Sequence, residues 1–161
     1  FFWFLQYWMG QALWVSITSC AAVIAILKPE NDNLNIFLVV GVLVWIIGFS
    51  IEVIADKQKS NFKKNQNTKD NYISTGLWSK SRHPNYFGEI TLWIGMYIIS
   101  IPSLSNLEYL TIISPFFVYI LLTRMSGINM LEKIADERYG HLEKYVQYKE
   151  NTPVLFIKIW K

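Results

Sequence analysis

Arg82-His83-Pro84-Asn85-Tyr86-Phe87-Gly88-Glu89 stands where a basic stretch of the chain runs into an apolar one. These residues bring together a guanidinium, an imidazole, a carboxamide, a phenol and a carboxylate, the groups needed to bind an anion, hydrogen-bond a polar ring and move a proton. At the start of a membrane-length segment they cost several kcal/mol unless something polar faces them, and a ligand is the expected partner. Arg82, Tyr86, Glu89 and Trp93 recur at helical spacing, with Asn85 beside Tyr86. Pro84 suits a first helical turn, which puts His83 near the N-cap. Free backbone N–H groups there, with Arg82, would form a positive pocket for an anion. Singly, His83 suits a cap, and Tyr86 or Trp93 an interface anchor. Their company with Glu89 is what points to a site.

A second polar stripe lies upstream. Glu52, Asp56, Lys59 and Lys63 fall at i, i+4, i+7 and i+11, one face of a helix leaving a bilayer. Two accounts fit this spacing. Snorkelling side chains could pair with one another, or two ammonium groups could face phosphates while carboxylates face ribose hydroxyls or a ring amide. Glu52 lies about a turn deeper than Asp56, which favours the second. Gly41 and Gly48, and likewise Gly88 and Gly95, are two helical turns apart, so each pair marks a strip of small residues. If the strips meet, the two polar stripes converge.

The elements that must position these groups are helices in a membrane. Of 161 residues 52% are hydrophobic and 16% aromatic, a composition outside the range of ordinary soluble domains. The apolar residues form blocks at Phe1–Leu27, Leu34–Ile54, Pro84–Ile101 and Leu107–Thr123, near or above the roughly 18 to 20 residues that span a bilayer. The expected fold is therefore all-α, a polytopic membrane bundle of about four transmembrane helices. From Asp56 to Arg82 seven bases face two acids, whereas Lys28 to Asn33 carries one base and two acids. The positive-inside rule then sets the long loop and the C-terminal tail in the cytoplasm and the turns at Pro29 and Pro102 outside. Topology explains much of the lysine content, so the net charge of +3 calls for no nucleic acid. Residues 126–150 alternate charged and apolar types at helical spacing, predicting amphipathic cytoplasmic helices broken near Gly140. Asn61 to Ser74 has the composition of a mobile loop.

Cys20 is a lone thiol in an apolar block, which argues against disulfide frameworks and cysteine metal sites. Phe1-Phe2-Trp3 opens the chain without an initiator Met or a signal-peptide pattern. Residues 1–161 thus read as one membrane domain, the C-terminal part of a longer protein.

Three blocks carry a family resemblance: Asp56-Lys57-Gln58-Lys59-Ser60-Asn61-Phe62-Lys63, then Gly76-Leu77-Trp78-Ser79-Lys80-Ser81-Arg82-His83-Pro84-Asn85-Tyr86-Phe87-Gly88-Glu89, then Leu131-Glu132-Lys133 with Tyr139-Gly140. From about Trp45 to Phe156 the chain resembles the C-terminal domain of the steroid 5-alpha-reductase family, nearest to its branch of uncharacterised membrane reductases. The resemblance implies an NADPH-dependent membrane oxidoreductase that reduces a C=C bond of a lipid or steroid-like enone. By position, Asp56, Lys59 and Lys63 match cofactor-binding residues, and Lys63 stands where the steroid enzymes carry Arg. Trp78 matches an aromatic of the related sterol reductases. Asn85, Glu89 and Trp93 match residues on the nicotinamide side. Arg124 matches a basic residue of the last membrane helix, and Glu132 stands where the steroid enzymes have Tyr. Arg82 joins Lys59, Lys63 and Arg124 as a phosphate counter-ion.

Such a reaction needs a donor for the developing enolate oxygen, and Tyr86 and His83 are the candidates. The apolar substrate would arrive through the bilayer and the cofactor from the cytoplasm, with a bacterial inner membrane or the endoplasmic reticulum as the location. Arg-His-Pro followed by an aromatic and Gly also resembles the isoprenylcysteine carboxyl methyltransferases, which use S-adenosylmethionine. Asn85, the Gln58-Lys59 block and Trp78 favour the reductase. A non-catalytic lipid-binding membrane protein is a third reading.

Overall fold

The computed structural model describes residues 2–28, 35–64, 71–125 and 127–158, and the Pro29 turn and the middle of the long loop, residues 65–70, lie outside them. The described residues contain helices and no strand. They run α1 (Phe2–Leu27), α2 (Ile36–Lys64), a 3-10 turn (Gly76–Ser79), α3 (Pro84–Ser100), short 3-10 segments, α4 (Ile113–Ile120), a π-helical turn (Leu121–Met125), α5 (Ile128–Tyr139) and α6 (Glu143–Asn151). Asn61 to Lys64, expected in a loop, continue α2. A break at Gly140 separates α5 from α6.

Among the described residues three helical stretches are long and apolar enough to cross a membrane, Phe2–Leu27, Ile36–Lys64 and Asn106–Tyr139, against the four expected. The difference is α3, which at 17 residues falls just short. Side chains along α1 and α2 stay exposed, Trp3 at 86% and Ile47 at 55% among them. Such continuous apolar surface suits a lipid environment and not water. This is a membrane protein.

The third stretch changes its winding for local reasons. Asn106 takes a positive φ of 46°, and Glu108 accepts bonds from the backbone N–H and hydroxyl of Ser105, both at 2.9 Å. That capping box starts the 3-10 segment Asn106–Ile112. Pro115 falls in the first turn of α4, where its missing N–H breaks no helical bond.

α2 and α3 form the tightest pair, and glycine is the reason. A Cβ built on Gly88 would lie 2.6 Å from the Glu52 backbone nitrogen and 2.7 Å from the Gly48 carbonyl oxygen; one on Gly95 would lie 2.6 Å from the Trp45 nitrogen and 2.8 Å from the Gly41 oxygen. The two small-residue strips therefore meet, backbone against backbone, the condition that the spacing left open. On the other side of α3, Ile90 packs with Val118, Leu122, Ile128 and Leu155. α1 docks through its buried Thr18, whose carbonyl accepts a 2.5 Å bond from the Ser114 hydroxyl.

Candidate functional site

The helix pairing sets the depth of the polar groups. Because Gly88 abuts Glu52, the carboxylates of Glu52, Asp56 and Glu89 come within electrostatic reach of one another, and Tyr86 of Glu89 and Asp56. The two stripes thus converge at one end of the α2–α3 pair.

Beside them the 3-10 turn folds onto α2. Gly76 has φ +64°, a conformation that favours glycine, and its open side lets the Gln58 carboxamide lie against the turn. Gln58 Oε1 accepts the Leu77 N–H at 3.0 Å, and the Trp78 indole N–H donates to the Ala55 carbonyl at 3.0 Å. With its N–H satisfied, the buried indole offers a ring face. Lys59 Nζ sits over that face, 5.2 Å from the centroid.

The third block closes the site from the other side. Glu132 on α5 accepts from Arg82, lies 2.9 Å from His83 Nε2 and has Lys149 at 3.6 Å. The Arg82 and Glu132 side chains are only 12% and 18% exposed, so each largely neutralises the other in a water-poor setting. His83 is the N-cap residue of α3 and Pro84 its N1, as the sequence predicts. Its side chain does not cap, however. The ring reaches Glu132 and stacks on Tyr86, with centroids 5.6 Å apart and planes 16° apart.

These elements enclose a cavity of about 310 Å³ lined by Lys59, Lys63, Tyr72, Trp78, Arg82, His83, Glu132, Arg138, Tyr139, Tyr145 and Tyr148, among others. Tyr72 packs against Tyr145 at 5.1 Å and Tyr148 at 5.3 Å. Burial pushes the Tyr145 and Tyr148 phenols well above the usual range, so both are neutral donors. Tyr148 donates to the Trp78 carbonyl at 2.6 Å and Tyr145 to Asp136 at 3.1 Å.

The fold thus gathers six of the expected residues, Lys59, Lys63, Trp78, Arg82, His83 and Glu132, around one cavity. Asp56, Asn85, Tyr86, Glu89 and Trp93 do not line it. Tyr86 and Trp93 pack against the Ile90 core, and Asp56 and Glu89 belong to the carboxylate group. Arg124 is exposed on the π-helical turn, away from the cavity lining. The positive pocket expected at the start of α3 is altered, because Glu132 meets the charge of Arg82. Among the described residues, two buried polar atoms there have no hydrogen-bond partner, Arg82 Nε and Asn85 Oδ1. Such orphans are costly unless a further group meets them.

Residues 2–152 match the sequence model of a family described as a protein of unknown function (DUF1295). The chain belongs to the DUF1295 family. No curated protein and no solved structure matches it. Membership brings no activity to this DUF1295 protein, so the resemblance to the steroid 5-alpha-reductase family is carried forward as a proposal. The tyrosine wall is what sequence reasoning missed in this DUF1295 chain. Tyr139 and Tyr145 read there as apolar helix positions, and the three-residue spacing of Tyr145 and Tyr148 was the available signal.

Proposed function

We propose that this DUF1295 protein is an NADPH-dependent integral-membrane oxidoreductase that reduces a C=C bond of an apolar, lipid or steroid-like enone. One observation carries it: the lysine-rimmed, aromatic-walled cavity is bounded by His83, whose ring stacks on Tyr86, and Tyr86 lies within electrostatic reach of Glu89.

The residues suit a phosphorylated dinucleotide. Lys59 and Lys63 offer ammonium groups to phosphates, and the faces of Trp78 and the tyrosines offer stacking to a purine. At about 310 Å³ the cavity is at the low end for a ligand site, the size for a nucleotide half. Asn85 would hold the nicotinamide end, its Oδ1 being able to accept from a carboxamide N–H. When bound, NADPH supplies the hydride. Glu132 holds His83 by one ring nitrogen, which fixes the imidazole against Tyr86. Tyr86, within electrostatic reach of Glu89, is the candidate proton donor, and His83 the candidate to relay a proton to it. In this arrangement α3 also lies in the bilayer as a fourth span, α5 and α6 cover the cytoplasmic face, and the substrate enters from the lipid.

A second reading has its own observation. Three carboxylates brought together at Glu52, Asp56 and Glu89 suit a cation, and the sulfonium and ammonium of S-adenosylmethionine would meet them. A thermal-shift comparison of the purified protein with NADPH, NADH and S-adenosylmethionine separates the two. Ligand at 100 times its dissociation constant adds roughly 2.7 kcal/mol. Stabilisation by NADPH beyond NADH supports the reductase, and stabilisation by S-adenosylmethionine alone rejects it.

A further inference from the structure

A second cavity, of about 450 Å³, opens between α3 and α4 and is unrelated to the carboxylate group. On α3 it uses Phe87, Thr91 and Ile94, a different face from that of Tyr86, Glu89 and Trp93. Its lining is almost wholly carbon. The Thr91 hydroxyl is bonded to the Phe87 carbonyl at 2.7 Å, so it asks nothing of an occupant. From Phe87 to Tyr97 the groove follows ten residues of helix, roughly 15 Å, about the hydrocarbon depth of one leaflet.

One end of this groove is closed by the segment after α6. Arg82 N–H donates to the Pro153 carbonyl at 2.9 Å, His83 N–H to Val154 at 3.1 Å, and the Ser81 hydroxyl to Leu155 at 2.9 Å. That strap seats Phe156 edge-on against Phe87, with centroids 6.2 Å apart. Two residues on, the Lys158 N–H donates to the Lys80 carbonyl at 2.9 Å. Lys80 and Lys158 are both exposed and are joined through their backbones two residues beyond Phe156, and neither forms an ion pair among the described residues.

We propose that the α3–α4 groove with Lys80 and Lys158 is a binding site for an anionic phospholipid of the adjacent leaflet. One acyl chain lies along Thr91 and Ile94 beneath Phe116, and the phosphate meets the two ammonium groups. The charge pattern selects the occupant: a sterol or neutral acyl chain would use the groove and leave the lysine pair without a counter-ion. The site is independent of the cofactor proposal, since it shares no side chain with the lysine-rimmed cavity.

The test is native mass spectrometry of the full chain, released from neutral detergent micelles holding equal phosphatidylglycerol and phosphatidylcholine. The wild type should carry chiefly phosphatidylglycerol adducts. Lys80→Gln with Lys158→Gln should lower that preference by roughly fivefold for each lysine, about 25-fold in all, while phosphatidylcholine binding persists. Thr91→Trp, or Ile94→Trp if the first does not fold, should fill the groove and remove both adducts with helicity unchanged. Equal retention of the two lipids by the wild type, or a preference that survives loss of both lysines, overturns the proposal. So does a lipid-free dimer that Thr91→Trp abolishes, since the occupant would then be a second copy of the chain.

Discussion

Glu132→Gln should destabilise the protein by about 3 kcal/mol, because it strands a buried guanidinium. Arg82 is 12% and His83 9% exposed at the side chain, and both converge on this one carboxylate. At about 3 Å and an effective dielectric of 20, a unit charge pair attracts by roughly 5 kcal/mol. Glutamine preserves the shape and some hydrogen bonding but not the charge, and relaxation recovers part of the loss, which leaves about 3 kcal/mol. Lys149, at 3.6 Å and one-third exposed, adds little. A double-mutant cycle isolates the pair: Arg82→Met removes the cation, so Glu132→Gln in that background should cost much less, with a coupling of about 2–3 kcal/mol. The assay is denaturant unfolding in mixed micelles, followed by tryptophan fluorescence. Additive losses, with a coupling below about 0.5 kcal/mol, would refute the view that Glu132 is the internal counter-ion clamping α5 onto the start of α3.

The glycine contact yields a sharper contrast. Gly88→Val meets Glu52 and Gly48 backbone atoms that cannot yield, so it should cost at least about 1–3 kcal/mol and reduce folded yield, whereas Gly10→Val, with nothing within 4 Å, should be tolerated. Expression and thermal melting of the two variants in detergent decide this. Trp78→Phe keeps a ring in the cavity wall but loses the bond to Ala55, and should cost about 1 kcal/mol beyond its volume effect. Lys63→Ala should weaken NADPH binding more than NADH binding in a fluorescence titration; equal losses would remove Lys63 from the 2′-phosphate. Burial raises the folded pKa values of Tyr145 and Tyr148. Their stability contribution is then fully present below about pH 10, the unfolded value, and falls as pH rises above it. Tyr148→Phe should flatten that alkaline decline in melting temperature.

Periodicity and small-residue spacing made the α2–α3 pair legible. Gly41, Gly48, Gly88 and Gly95 marked a small-residue strip on each helix and left open whether the strips meet, and the backbones do meet there. Pro84 and His83 were legible at the start of α3 because proline's missing N–H has one comfortable place in a helix. The end of α3 was legible to within a residue, since the apolar block read as Pro84–Ile101 ends as α-helix at Ser100, where the turn Ile101–Ser103 takes over. Partner choice was least legible. Arg82 and Glu132 are fifty positions apart and each read as a ligand contact, because no local pattern says that two charges will satisfy each other. The tyrosine wall was hidden for a related reason, since Tyr72 comes from a loop and Tyr145 and Tyr148 from α6.

The arrangement of charge bears on which ligand belongs in the site. Arg82 and Glu132 cancel, which leaves Lys59 and Lys63 as the positive groups of α2 at the cavity, with Asp56 about one turn deeper than Lys59, Glu52 about two, and Glu89 in their electrostatic reach. This is a dipole along one helix pair, fixed in register by glycine contacts that tolerate no slip. A ligand that matches it must be anionic at the cavity end and amide-bearing or cationic at the deeper end. A simple phosphate satisfies only the first and a quaternary amine only the second. A phosphorylated pyridine dinucleotide has both ends on one molecule, and Lys63→Ala and Glu89→Gln should therefore impair its binding together while affecting inorganic phosphate at the lysine end alone. If Glu89→Gln left dinucleotide affinity unchanged, the deeper carboxylates would be a structural pairing of two helices, and the cavity a nucleotide pocket with no partner beneath it.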